Sequence, residues 1–282
     1  MKTKTVAITG GASGLGRALA LRFATAGWNI AIADLNDERG ADTLQEIKAG
    51  GAHDAFYQNC DVRDSAAVRE WRDTILARWN SIDVIINNAG VATFGSIDAC
   101  SIDDWNWVID INLMGVVRGC KYFSEVFKQQ SYGHIVNIAS MAGLIHSPEM
   151  SSYNATKAAV VALSETLRGE LKPYGIDVTV VCPGFFQTNL AESTRSPDSG
   201  AQGRVAKMLT TSKISADDIA DMIFLAIAEK KYLVLPHASY RRMWYLKRFL
   251  PFLYTRMMGK IGIKVAQMRA NKKMMSTEGT AT

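Results

Sequence analysis

The chain has 282 residues, 48% of them hydrophobic, enough to bury a sizeable core within one large α/β domain. Its formal charge of +5 is uneven, because residues 237–282 carry ten Lys/Arg against one acid, Glu278, which leaves residues 1–236 at −4. A globally basic nucleic-acid binder fits that balance poorly, whereas a basic local surface is compatible with it. The apolar runs stop far short of the ~20 residues of a membrane span. The opening MKTKTVAITGG has no secretory hydrophobic region, so a cytoplasmic location is expected. Cys60, Cys100, Cys120 and Cys182, like His53, His134, His146 and His237, lack metal-site spacing. No metal and no disulfide framework are expected, and Cys60 and Cys182 read as reduced thiols in apolar runs.

In chain order, TVAITG (5–10), residues 17–26, NIAIAD (29–34), residues 38–49 and DAFYQNCDV (54–62) alternate β-α-β-α-β. Residues 65–79, IDVIINNAG (82–90), 101–129, GHIVNIAS (133–140), 152–171 and IDVTVVCPG (176–184) continue the alternation. Such a pattern predicts an α/β fold with a parallel sheet covered on both faces. One domain is expected over residues 1–236, followed by a basic amphipathic extension at 237–282. Residues 185–215 break the pattern and read either as a lid over a site or as a surface loop.

The first βα turn, Thr9-Gly10-Gly11-Ala12-Ser13-Gly14-Leu15-Gly16, lies between a strand and a helix. Glycines there let the backbone turn sharply and approach a pyrophosphate at a helix N-terminus. Asp34 ends the second strand, where a carboxylate can accept from an adenosine ribose and repel a 2′-phosphate; it can equally form the turn before Asn36. NAD is therefore favoured over NADP, with Arg17 and Arg39 as the cations that argue the other way. Tyr153 and Lys157, spaced i, i+4, share one helix face. An ammonium beside a phenol lowers its pKa and makes proton transfer feasible, although an isolated pair of this kind is usually a surface contact. Ser140 ends the preceding strand, either as a turn residue or as a donor to a substrate oxygen. Asn112 is polar within an apolar helical stretch and needs buried partners.

These ordered motifs resemble the short-chain dehydrogenase/reductase family over residues 4–235: TGGASGLG at 9–16, Asp61 in CDV, Asn87-Asn88-Ala89-Gly90, Asn112, Ser140, Tyr153 with Lys157, and Pro183-Gly184 with Thr188. The glycine spacing resembles the shorter dehydrogenase branch. The resemblance implies a Rossmann-like, doubly wound parallel sheet in which Gly10, Ser13, Leu15 and Gly16 surround the cofactor phosphates and Asp34 binds ribose. By the same resemblance, Asp61 and Val62 flank adenine, and Asn88, Ala89 and Gly90 line the nicotinamide side. Pro183, Gly184, Phe186 and Thr188 follow on the carboxamide side, with Phe186 in place of a smaller aliphatic residue. Ser13 stands where a basic residue would favour NADP. Tyr153 is then the general acid/base, Ser140 orients the substrate oxygen, Lys157 binds the nicotinamide ribose, and Asn112 supports the path that renews the proton.

The expected reaction is hydride transfer between NAD(H) and a secondary alcohol or ketone. Reduction of a 3-oxoacyl thioester and a non-catalytic dinucleotide-binding regulator are the alternatives. Phe94, Phe185, Phe186, Met208 and Leu209 suggest an apolar pocket rim, hence a lipophilic small-molecule substrate. A homo-oligomer is implied by the resemblance. Val160, Leu163, Leu167 and Leu171 form a stripe suited either to such a contact or to the core. Residues 240–268 combine apolar residues at helical spacing, interrupted by Pro251, with Arg242, Lys247, Arg248, Arg256 and Lys260. That segment can pack over the pocket or a partner, or make peripheral contact with an anionic membrane.

Overall fold

The computed structural model describes residues 2–187, 190, 192–198, 203 and 212–278, with side chains to 268. The chain opens by alternating β1 (Thr5–Thr9), α1 (Gly14–Ala24), β2 (Asn29–Asp34), α2 (Asp37–Ala49), β3 (Asp54–Asn59), α3 (Ser65–Trp79) and β4 (Val84–Asn87). There follow β5 (Ala92–Thr93), α4 (Ile102–Ile109), a π-helical turn (Asp110–Met114), α5 (Gly115–Gln130), β6 (Gly133–Ile138), α6 (Ser151–Leu171), β7 (Ile176–Val181) and β8 (Thr194–Arg195). We label the remaining elements α7 (Ala216–Ala228), β9 (Leu233–Val234), α8 (Ala238–Phe249) and α9 (Pro251–Glu278).

Among the described residues, seven strands form one parallel sheet in the order β3-β2-β1-β4-β6-β7-β9. The chain leaves β1 toward β2 and β3, then returns to place β4 on the other side of β1. That reversal opens a crevice beyond the carboxyl ends of β1 and β4, where ligands of doubly wound sheets sit. Both faces are covered, which is why β1 and β4 are buried along their whole length and read as apolar runs rather than alternating ones. One core lies under α3, α5 and α6 around Trp71, Ile75, Phe123 and Phe127; the other lies under α1, α2 and α7 around Leu19, Phe23, Ile47 and Ile223.

Local chemistry sets the helix ends. The Asn36 side chain accepts from the Arg39 N–H at the start of α2, whose first turn carries Asp37 and Glu38. Ser215 and Asp218 form a reciprocal capping box on α7. α3 ends on Asn80 in the left-handed region. The long helix expected at 101–129 is present, but its regular winding breaks at the π-helical turn. Of the stripe on α6, Val160 and Leu171 are buried in the core and Leu163 and Leu167 pack against it. The short pairing of β5 with β8 was not visible as a pattern, since each strand has only two residues.

His134 on β6 lies buried beside Thr179, with 2.7 Å between Nε2 and the hydroxyl. Burial pushes its pKa down to about 4; the Asp177 carboxylate opposes this and the Lys230 ammonium adds to it. The unfolded imidazole takes up its proton near pH 6.5, before the folded one does. Stability from this group is therefore complete above pH 6.5 and is lost as pH falls through that window toward 4. His134→Gln is expected to flatten the loss, narrowing by about 2 kcal/mol the stability difference between pH 7 and 4.5 in urea denaturation.

Candidate active site

The β1–α1 turn needs glycine for geometric reasons. Gly10 and Gly14 have φ of +64° and +52°, and a Cβ on Gly16 would collide with the Gly10 carbonyl. At the end of β4 the Asn88 amide donates to the carbonyls of Thr9 and Gly10, both at 3.0 Å. The Thr9 hydroxyl accepts in return from the N–H groups of Asn88 and Ala89 at 3.0 and 3.1 Å. The turn and the end of β4 are thereby one unit. α1 starts with no acid in its first turn and no side-chain cap from Ser13, so its amides and dipole favour an anion.

Asp34 makes the turn that one reading of the sequence expects. Its carboxylate accepts from the Ala12 N–H at 3.0 Å and from Leu35 and Asn36 at 2.8 and 3.2 Å, and it also lines the cavity beside the turn. Arg17 pairs with Glu46, and Arg39, which lines the same cavity, pairs there with Glu192 at 2.9 Å. Asp61 pairs with Arg63 at 2.6 Å, and that guanidinium holds its carboxyl below the usual range.

A cavity of about 680 Å³ is lined by Gly10, Ser13, Leu15, Asp34, Asp61, Val62, Asn88, Ala89, Gly90, Ser140, Tyr153, Lys157, Pro183, Gly184 and Phe186. The fold thus gathers onto one surface residues that are up to 230 positions apart in sequence, from Gly10 to Tyr240. Gly16 and Asn112 are not part of that lining. Gly16 packs on Gly10. Asn112, fully buried inside the π-helical turn, accepts from the Val91 N–H at 2.8 Å and donates to the Val91 carbonyl at 2.9 Å. Its buried partners are therefore one backbone residue just past Gly90. Thr188, Met208 and Leu209 lie outside the described residues.

Tyr153 and Lys157 lie in the first two turns of α6, 8% and 4% exposed. Lys157 Nζ donates to the Ile138 carbonyl at 2.9 Å and sits 5.9 Å from the centre of the Tyr153 ring. Burial pushes Lys157 down to about 8. The i, i+4 spacing alone predicts a lowered Tyr153 pKa, yet burial of the phenol is the larger effect and raises it, with the hydrogen bond from Ser140 opposing. Ser140 Oγ accepts from the Ala142 N–H at 3.1 Å and contacts the Pro183 carbonyl at 3.4 Å.

Phe94, Met150 and Leu190 pack with Tyr153 in one apolar cluster on the cavity wall, and Phe185, Trp107, Ile145 and Tyr240 also line the cavity. Only the phenylalanines were foreseen. Trp107 and Ile111 are four residues apart on the helix before Asn112, a periodicity that was available; nothing local in the sequence points to Tyr240. Arg195 stacks on Trp107 at 4.0 Å and faces Asp104 at 3.5 Å.

Asn88→Ala would leave the Thr9 and Gly10 carbonyls without their donor. A loss of about 1–3 kcal/mol is expected in chemical denaturation. A loss below ~0.5 kcal/mol would show that the tie is dispensable.

Comparison with known proteins gives the family. The Probable oxidoreductase EphD of Mycobacterium tuberculosis is 34% identical over 257 residues, 87% of this chain; the chain spans 43% of that relative's length. A CLA biosynthesis dehydrogenase/reductase of Lactiplantibacillus plantarum is 33% identical over 85% of this chain and 90% of its own. The 3-oxoacyl-[acyl-carrier-protein] reductase FabG of Staphylococcus aureus is 30% identical, covering 82% and 94%. Among solved structures, a short chain dehydrogenase/reductase from Burkholderia phymatum in complex with NAD superposes with a TM-score of 0.83 at 33% identity, over 88% of this chain and 93% of that one. Residues 4–199 match the short chain dehydrogenase family, and the chain belongs to that family of oxidoreductases.

Proposed function

We propose that the chain is an NAD(H)-dependent oxidoreductase that moves a hydride between nicotinamide and a lipophilic secondary alcohol or ketone, with Tyr153 as general acid/base. The observation that carries this reading is the convergence of Ser140, Tyr153 and Lys157 on the cavity that also holds the glycine turn and Asp34. The residues fit a dinucleotide: an uncapped helix N-terminus for the phosphates at Gly10, Ser13 and Leu15, and a carboxylate at Asp34 for ribose. Asp61 and Val62 would flank adenine. Asn88, Ala89, Gly90, Pro183, Gly184, Phe186 and Thr188 would enclose the nicotinamide end.

NAD is preferred because Asp34 opposes a 2′-phosphate while Arg17 and Arg39 are already paired with acids. Similarity to an NAD complex at 33% identity supports the same choice. Bound there, the nicotinamide group would accept or supply the hydride. In oxidation the Tyr153 oxygen accepts the alcohol proton; in reduction its O–H donates one to the carbonyl oxygen. Ser140 fixes that substrate oxygen. Lys157, with a pKa of about 8, can hold or release a proton beside Tyr153 near neutral pH and would bind the nicotinamide ribose. Asn112 positions Val91 next to Gly90 and would support the route by which the proton is renewed.

The similarity to FabG favours a second reading, reduction of a 3-oxoacyl thioester by the same Ser140, Tyr153 and Lys157. NADH oxidation assayed with lipophilic ketones and with 3-oxoacyl thioesters separates the two.

Tyr153→Phe is expected to cut kcat by at least ~100-fold, the usual scale of general acid–base catalysis, while NADH binding changes little. Near-normal kcat in the folded variant would remove Tyr153 from the chemistry. Asp34→Asn keeps an acceptor for Ala12 but loses the charge, so the NAD/NADP ratio of kcat/KM should fall by about tenfold. An unchanged ratio would make Asp34 a turn residue only.

A further inference from the structure

The α8–α9 junction carries an apolar corner that the fold leaves uncovered. Phe249 and Phe252 are 70% and 67% exposed, flanked by exposed Leu250 and Leu253, and Ile263 lies further along α9 at 62%. Tyr245 stacks on Phe249 at 6.2 Å and is itself exposed. The opposite side of α9 faces the body of the protein through buried Tyr254 and half-buried Met257 and Met258, so the exposed residues are not the side that holds the helix in place.

Arg248 sits next to Phe249, and Arg241, Arg242, Arg256, Lys260 and Lys264 lie along the same two helices, all exposed. Among the described residues none of the six has an ion-pair partner. We infer that the α8–α9 corner is a docking surface for an anionic lipid bilayer, with its aromatic and aliphatic side chains entering the interface and its cations meeting the headgroups.

Charge selects this occupant. A second copy docking corner to corner would set the same cations against each other, whereas an anionic surface complements them. The described residues include no helix long and apolar enough to cross a membrane, so the contact is peripheral. α8 also supplies Tyr240 to the cavity wall, so one helix would join bilayer contact to that pocket.

The test is cosedimentation of the full chain with phosphatidylglycerol–phosphatidylcholine vesicles, against phosphatidylcholine alone. Binding is expected to the anionic vesicles at low salt, with release at ~0.5 M salt as the charges are screened. F249S/F252S is expected to weaken it by about tenfold, and R248Q/R256Q by about twentyfold, with melting temperatures unchanged. Failure of the folded chain to cosediment overturns the inference, as does binding that neither double variant alters. Light scattering that shows a dimer dissolved by F249S/F252S, without vesicle binding, would overturn it in favour of a second copy of the chain.

Discussion

The tie between the β1–α1 turn and the end of β4 is the constraint on which the site depends. Asn88 gives both amide hydrogens to carbonyls of the turn, and Thr9 accepts from the two N–H groups that follow β4. Peptide groups at a crevice cannot all be satisfied by the sheet, because the ladders stop there; these bonds replace the missing partners. The closeness they require leaves no room for a side chain at Gly10, whose Cβ would lie 2.9 Å from Ala89 Cα. Asp34 extends the same arrangement to β2 through the Ala12 N–H. Three strand ends are thereby fixed around one helix N-terminus.

The opposite end of the cavity has a different physical character. Burial disfavours the charged form of both partners, raising the Tyr153 phenol and lowering the Lys157 ammonium. Both shifts favour the neutral forms, phenol and amine, over the ion pair. Each is sensitive to a new hydrogen bond or charge, because little solvent is present to screen it. A substrate oxygen placed between Ser140 and Tyr153 would act directly on that balance. The lysine is meanwhile tethered to the Ile138 carbonyl, so its position is set by β6 rather than by Tyr153.

The sheet was legible because parallel strands buried on both faces appear as β-branched runs, and the glycine turn because its spacing sits between a strand and a helix. Ser140, Tyr153 and Lys157 were legible as an ordered set but not as a distance. Asn112 was visible as a polar residue out of place; its pairing with Val91 was not, since it depends on a π-helical turn that no apolar period encodes. Spacing also gave the wrong sign for the dominant effect on Tyr153, because it carries no information about burial. Trp107, Met150 and Tyr240 reach the pocket from three separate elements, and only the tertiary fold brings them together.

The contribution of Tyr240 depends on how α8 is attached. The Gly184 N–H donates to His237 Nδ1 at 3.1 Å, which requires the ring proton to reside on Nε2, and that nitrogen lies 3.1 Å from the Phe185 carbonyl. Neutral His237 thus clamps the start of α8 to the segment after β7. Farther along, Lys247 donates to the Leu144 carbonyl at 2.7 Å, and the Tyr254 hydroxyl accepts from the His146 N–H at 2.9 Å. These bonds hold the segment after β6, which supplies Ile145 and Met150 to the pocket. Because the C-terminal helices grip the chain on both sides of Tyr153, they set where Tyr240, Ile145 and Met150 stand in the cavity wall. Substitutions at that grip should therefore change which substrate fits before they change whether a proton can move.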